Sequence, residues 1–350
     1  MKELLVISGK GGTGKTSIVG AFAVLADSKV LADCDVDAAD LHLLLDPTVR
    51  TTNEFWAGKQ AVLDPAKCIC SSMRAGSCER GMRCECGVCR ECGVCAEVCR
   101  FGAINGGGSM SVRGIGSVDN ASLPKIDPVS CEGCGVCARA CPHGAISMED
   151  VMSGHWFVSD TAYGPMVHAR LGAAQENSGK LVTEVRREAR SIAEGQGLEY
   201  IITDGPPGIG CPVISSMSGV DLALIVSEPT VSGVHDMKRV IELAHHFGVK
   251  AAVCINKYDL DEVSAGQIEE YCQSEGVEVA GKIPFDEEVV GALVRGVPVV
   301  AHDGRGVGIA RAGADGADRS GPAGSAGRTE GKAARAMRQL WARVVDCLKG

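Results

Sequence analysis

Gly9-Lys10-Gly11-Gly12-Thr13-Gly14-Lys15-Thr16, read with the apolar Leu4-Leu5-Val6-Ile7 before it, is a strand, a glycine-rich turn and the start of a helix. The eight residues fit the pattern G-x-x-x-x-G-K-S/T at every specified position. A strand that turns through glycines into a helix lets backbone N–H groups converge on phosphate oxygens, and the helix N-terminus adds favourable partial charge. Gly9, Lys10, Gly11, Gly12, Thr13, Gly14, Lys15, Thr16 and Ser17 are therefore the expected nucleotide-binding segment. Lys15 is placed for the β- and γ-phosphates, and Thr16 for Mg²⁺.

Outward from this segment the chain alternates helix and strand. The helix runs from about Thr16 to Ala26, a second strand from Lys29 to Ala32 ends at Asp33, and a further helix includes Leu41 to Leu45. The alternation stops near Asp64-Pro65 and returns after Asp150, with a helix over Leu181 to Glu194 and a strand over Tyr200 to Thr203 that ends at Asp204. Leu222 to Val226 and Ala251 to Ile255 read as further buried strands. This pattern predicts an α/β fold, a P-loop NTPase with a mostly parallel sheet covered by helices on both faces. Residues 1–63 and 151–302 form that domain, and residues 64–150 interrupt it. The Gly-, Ala-, Ser- and Arg-rich stretch 303–331 reads as a flexible linker. Within 332–350, Met337, Leu340, Trp341, Val344 and Leu348 recur at helical spacing, with Arg335, Arg338, Arg343 and Lys349 around them. Packing of this helix against the core is expected rather than membrane binding.

Composition narrows the functional classes. Hydrophobic residues are 45% of the chain but aromatics only 4%, which suits the Val, Ile, Leu and Ala cores of parallel sheets. The formal net charge is −9 and no basic stripe stands out, so nucleic acid is not an expected partner. Met1-Lys2-Glu3 runs directly into an apolar strand, and no apolar run is long enough to span a membrane. The expected compartment is the cytoplasm, where thiols stay reduced.

In that setting the 18 cysteines are informative, since 13 of them lie between Cys68 and Cys141. Cys131-x2-Cys134-x2-Cys137-x3-Cys141-Pro142 is a complete bacterial ferredoxin run. Cys89-x2-Cys92-x2-Cys95-x3-Cys99 repeats the spacing, with Arg100 in place of the proline. Gly-Ala-Ile follows each run, at Gly102-Ala103-Ile104 and Gly144-Ala145-Ile146. The fourth cysteine of such a run ligates the other cluster. One [4Fe–4S] cluster is thus assigned to Cys89, Cys92, Cys95 and Cys141, the other to Cys131, Cys134, Cys137 and Cys99. Residues 64–150 are accordingly expected to form an inserted bacterial-ferredoxin-like α+β domain. Zinc is the rival metal. The first register has an alternative, because Lys67-Cys68-Ile69 also looks like the start of a run, with an insertion after Cys68. Cys68, Cys70, Cys78, Cys84 and Cys86 are left over, either as a third metal site or as non-ligating thiols.

Asp204, at a strand end before Gly205-Pro206-Pro207-Gly208, suits a carboxylate that reaches Mg²⁺ through water. Asn256-Lys257-Tyr258-Asp259 has the N-K-x-D form, which GTPases use to read guanine. Here the chain resembles the deviant Walker A ATPases of the Min/Par class. Lys10 matches their signature lysine, Asp33-Cys34-Asp35 their switch I, and the segment from Asp204 their switch II. The resemblance implies ATP rather than GTP, with Asn256 at the adenine. It also implies Mg²⁺ near Asp33 and Asp204, and Asp35 orienting the attacking water. Two subunits, as a homodimer or with a paralogous ATPase, would then sandwich two ATP molecules, and Lys10 would reach the partner's phosphates. The chain to about residue 302, including Gly164-Pro165-Met166-Val167-His168-Ala169-Arg170 and Ser178-Gly179-Lys180-Leu181-Val182, is similar to members of this class that carry an inserted ferredoxin domain, relatives of the Mrp-type iron–sulfur carriers. That similarity implies a role in assembly or delivery of iron–sulfur or iron–molybdenum-type cofactors. A small dinitrogenase-cofactor-like protein or another iron–sulfur acceptor would be the partner. ATP-gated electron transfer to a partner and Min/Par-type positioning are the alternatives. His168 is expected to be a hydrogen-bonded structural histidine.

Overall fold

The computed structural model describes residues 1–68, 93–105, 123–172, 178–302 and 331–350. Eleven strands occur among them: β1 (Lys2–Ser8), β2 (Lys29–Asp33), β3 (Thr48–Leu63), β4 (Ile104–Asn105), β5 (Lys125–Ile126), β6 (Ile146–Thr161), β7 (Gly164–Leu171), β8 (Tyr200–Pro207), β9 (Leu222–Ser227), β10 (Ala251–Asn256) and β11 (Glu278–Ile283). The helices are α1 (Lys15–Leu25), α2 (Leu41–Leu45), α3 (Val94–Glu97), α4 (Val136–Ala140), α5 (Ser178–Gln196), α6 (Cys211–Met217), α7 (Val231–His246), α8 (Glu262–Ser274), α9 (Glu287–Val294), α10 (Val299–His302) and α11 (Lys332–Lys349). A nine-stranded sheet has the order β11-β10-β9-β1-β8-β2-β7-β6-β3, and β4 pairs antiparallel with β5 in a second, small sheet.

The described residues divide into two compact units. One comprises residues 1–55, 154–172, 178–302 and 331–350, and the other residues 56–68, 93–105 and 123–153. The sequence boundaries at 64 and 150 differ from these because the units divide within the two 16-residue strands, after Phe55 in β3 and after Ser153 in β6.

In the first unit β1 pairs in parallel with β8 and β9, β2 with β7 and β8, and β10 with β9 and β11. Only the β6–β7 hairpin is antiparallel among the pairings resolved there. Alternation along β1 sends Leu4 and Val6 to one face of the sheet and Leu5 and Ile7 to the other. The first face joins Ile18 and Phe22 of α1, Val300 of α10, and Met337, Leu340 and Val344 of α11 in one core. The second packs Val213 and Met217 of α6, Val240 and Ile241 of α7, and Ile268 of α8. Both faces being covered explains the unbroken apolar runs in β1, β9 and β10. Glu3 is buried at the start of β1 and takes Arg186 at 2.7 Å and Arg190 at 2.6 Å, tying α5 to the sheet.

The C-terminal helix is part of this core. Its apolar residues Ala333, Ala334, Met337, Leu340, Val344, Cys347 and Leu348 are buried, and Trp341 lies against Phe22 and Tyr200 with ring centroids 5.0 and 5.6 Å away. Arg343 pairs with Glu278, and Arg338 donates to the Val300 carbonyl. The face that could have met a lipid surface is spent on packing. No helix among the described residues is long and apolar enough to cross a membrane.

His168, on β7 in register with Asp33, is buried and shares a 3.0 Å hydrogen bond with Ser159 Oγ. Phe157 and His42 stack near its ring, at 5.0 and 6.2 Å. Burial, and secondarily the charge of His42, lower its pKa from 6.5 to about 4. A base with a depressed folded pKa stabilises the fold above its unfolded pKa, and that stability is lost as pH falls from 6.5 towards 4. Between pH 7 and pH 5 the neutral ring should therefore cost the fold about 2 kcal/mol. Denaturant midpoints at both pH values should show a smaller acid loss in His168→Asn than in the parent chain. Equal losses would remove His168 as the titrating group.

Candidate functional site

The glycine-rich turn leaves β1 and enters α1 with Lys15 as its first residue. Gly12 and Gly14 take left-handed backbone angles, φ 81° and 89°. A side chain at Gly14 would also collide with Asn256, whose Nδ2 lies 2.4 Å from the Cβ position, and one at Gly9 would strike Asp236 of α7 at 2.4 Å. Both glycines are thus required by close approach, and the contact with Asp236 is a tertiary fact that no local signal announced. Ser8 Oγ donates to the Lys10 carbonyl at 2.6 Å, and the Gly208 amide donates to the Ser8 carbonyl at 2.9 Å. The turn is thereby held against the segment that follows Asp204. Thr13 and Lys15 are buried, whereas Lys10 is exposed.

Parallel pairing places Asp33 at the end of β2 directly opposite Asp204 on β8. The Cys34 amide donates to the Asp204 carbonyl at 2.8 Å. Asp33 accepts from the amides of Asp35 at 3.1 Å and Leu41 at 3.3 Å, which folds the chain after β2 back over its own carboxylate. Burial raises Asp33 well above the usual carboxylate range, and the neighbouring Asp204 raises it further. Burial also raises Asp204, to about 6, against the opposing pull of Lys15 and of a hydrogen bond from Thr16. Asp35 is raised by burial, with Lys15 again opposing. Asp33, Asp35, Asp204, Lys15 and Thr16 thus share one locus. Asp204 Oδ1 and the hydroxyls of Thr13 and Thr203 are buried without a hydrogen-bond partner in the described residues. Adjacent buried carboxylates with an orphaned oxygen suit a cation. These residues fit Mg²⁺, held by Thr16, Asp33 and Asp204, some of them through water.

Asn256 ends β10 against the turn. Its Nδ2 donates to the Thr13 carbonyl at 2.8 Å, and its side-chain oxygen accepts from the Lys257 amide at 3.1 Å. Lys257 meets Glu228 at 2.5 Å. Asp259 accepts from the Phe285 amide at 2.6 Å and lies 3.7 Å from Lys332. Both ends of the Asn256 amide and the Asp259 carboxylate therefore have structural partners.

The second unit gathers cysteines. Cys99, Cys131, Cys134 and Cys137, one complete set from the ferredoxin spacing, line a single cavity together with Phe101 and Met148. Gly133 and Gly135 turn the chain there through left-handed angles, and a Cβ on Gly133 would lie 2.0 Å from the Lys59 carbonyl oxygen. Burial raises the Cys137 thiol, and the nearby Cys131 and Cys134 raise it further. Of the other set, Cys95 and Cys141 are described, and Cys89 and Cys92 lie outside the described residues, as do Cys70, Cys78, Cys84 and Cys86. The Ala145 amide donates to Cys141 Sγ at 3.3 Å. No three Cys, His, Asp or Glu side chains among the described residues converge on a single-ion site. The four thiols that line the cavity are the residues that could hold a cluster.

An uncharacterised protein of Methanocaldococcus jannaschii, MJ0578, is 33% identical over 265 residues, covering 75% of this chain and 80% of that protein. An iron-sulfur cluster carrier protein of Pyrococcus horikoshii is 27% identical over 139 residues, which is 36% of this chain and 46% of the carrier. The chain thus spans less than half of that relative. Among solved structures, the MinC:MinD cell division protein complex of Aquifex aeolicus is similar, with a TM-score of 0.49 at 17% identity, covering 99% of this chain and 96% of the matched one. A family model for the CobQ/CobB/MinD/ParA nucleotide binding domain matches residues 4–299, so the chain with this phosphate-binding turn and paired carboxylates belongs to that family.

Proposed function

We propose that the chain is an ATP-hydrolysing iron–sulfur protein whose nucleotide state governs two [4Fe–4S] clusters, in assembly or delivery of a metallocluster. The observation that carries the iron–sulfur ATPase part of this reading is the cavity lined by Cys99, Cys131, Cys134 and Cys137, in the same chain as a complete phosphate-binding turn. Cys89, Cys92, Cys95 and Cys141 are the expected holders of the other cluster. When bound, the clusters supply one-electron redox chemistry or transferable iron and sulfide. ATP is favoured over GTP because the Asp259 carboxylate is committed to the Phe285 amide, while guanine recognition needs it free.

The chain's own residues have distinct tasks in hydrolysis. The backbone of Gly11 to Thr16 cradles the phosphates, and buried Lys15 neutralises charge on the β- and γ-phosphates. Asp35, half-buried beside Lys15, orients the attacking water. Exposed Lys10 reaches the phosphates of a second subunit, in a homodimer or with a paralogous ATPase. The charge balance of Asp33 and Asp204 ties occupancy of the site to their ionisation.

A second reading, ATP-gated electron transfer, is favoured by the full four-cysteine lining of the cavity, which suits a cluster that stays. The apolar face of α11, the sequence feature that suggested positioning at a membrane, is packed in the core.

Lys15→Ala should abolish ATP turnover, and Lys10→Ala should lose turnover while still binding ATP. Wild-type turnover in Lys10→Ala would overturn the shared-site dimer. Anaerobically loaded protein should hold about eight iron atoms per chain, and Cys134→Ser about four. A parent chain with about four metal atoms that include zinc would refute two clusters. The decisive experiment mixes loaded chain, MgATP and an apo-ferredoxin acceptor. Iron that moves to the acceptor only with hydrolysable ATP marks delivery. Iron that stays, with reduction potentials that shift on nucleotide binding, marks electron transfer.

A further inference from the structure

The two halves of the cysteine-rich unit repeat each other upstream of the cysteine runs. Asp64-Pro65-Ala66-Lys67-Cys68 corresponds to Asp127-Pro128-Val129-Ser130-Cys131. The correspondence extends to the hydrogen bonds. The Asp64 amide donates to the Ala145 carbonyl at 2.7 Å, and the Asp127 amide donates to the Ala103 carbonyl at 2.7 Å. Each aspartate is thus pinned to the Gly-Ala-Ile segment that follows the other half's run. Each carboxylate then closes the same local turn: Asp64 Oδ1 accepts from the Ala66 amide at 2.9 Å, and Asp127 Oδ1 from the Val129 amide at 3.1 Å. The second oxygens meet Lys67 Nζ at 3.3 Å and Ser130 Oγ at 2.6 Å. These turns deliver Cys68 and Cys131 to equivalent places.

Cys131 lines the cavity that one cluster set surrounds. Cys68 stands at the corresponding point of the other half. It is buried in one apolar group with Ala145, Leu63, Leu123 and Cys141. Two thiols from distant points of the chain, Cys68 and Cys141, therefore meet where the first cluster belongs.

We infer that Cys68, in place of Cys89, joins Cys95 and Cys141 in holding the first cluster. This assignment rests on the two-cluster reading and refines it. Residues 69–91 then form an insertion inside the first run, where the second run has only Glu132 and Gly133 between its first two ligands. Cys89 passes into that insertion with Cys70, Cys78, Cys84 and Cys86.

The test is iron and acid-labile sulfide in full-length Cys68→Ser and Cys89→Ser, each reconstituted anaerobically beside the parent chain, with electron paramagnetic resonance after reduction. Cys68→Ser should fall from about eight to about four iron atoms and keep one cluster signal, while Cys89→Ser keeps about eight. Unchanged iron in Cys68→Ser, or a loss in Cys89→Ser, overturns the assignment. Should Cys68→Ser load no iron because the unit fails to fold, Cys89→Ser decides, a full complement upholding Cys68 and a reduced one overturning it. A parent chain that takes up no iron instead sinks the two-cluster reading itself.

Discussion

Parallel pairing of β2 with β8 sets Asp33, the last residue of β2, opposite Asp204 within β8, beside the turn that leaves β1. Much of the nucleotide site follows from that juxtaposition. Two carboxylates removed from water and set side by side cannot both ionise cheaply. Their raised pKa values express this, and the opposing pull of Lys15 and Thr16 on Asp204 shows which groups relieve it. A divalent cation brought in with a nucleotide would relieve it further. The site is therefore held in a state that a cation and phosphates complement, and the parallel sheet supplies the rigid frame that keeps it so.

The same frame explains why the site tolerates so little variation in its glycines. Gly9 and Gly14 are pressed against Asp236 and Asn256, which arrive from α7 and from the end of β10. Asn256 also anchors the turn through the Thr13 carbonyl. The turn's shape is thus determined from three sides: by its own left-handed glycines, by the helix behind it, and by the strand end beside it. Rigid placement of backbone donors is what makes such a turn effective at stabilising phosphate charge.

The cysteine-rich unit follows a different economy. Its described apolar groups are small and include cysteines among their members. Short antiparallel pairing of β4 with β5 and reciprocal Asp-to-Ala backbone bonds link its two halves. A unit so constructed would gain stability on the proposed ligation of its thiolates, which would crosslink segments far apart in the chain. The internal repeat makes the two halves dependent on one another, each supplying the carbonyl that pins the other's turn.

The local sequence was sufficient for the phosphate-binding turn, the flanking strand and helix, the aspartate at the end of β2, and the ferredoxin spacing of Cys131, Cys134, Cys137 and Cys99, whereas the strand expected to end at Asp204 continues to Pro207. Each of these is a short-range pattern whose chemistry depends on neighbours within one or two turns of chain. The α/β alternation was equally legible, because burial on both faces writes continuous apolar runs. Tertiary structure alone decided the rest. Spacing could not show that Cys68 lies with Cys141, since that depends on which thiols meet in space. It could not show that Asp259 is held by the Phe285 amide, or that Asp236 closes behind Gly9. Nor could periodicity say what covers the apolar face of the C-terminal helix, which the core around Phe22 and Tyr200 does. An amphipathic stripe specifies that a surface must be buried, and only the folded chain specifies against what.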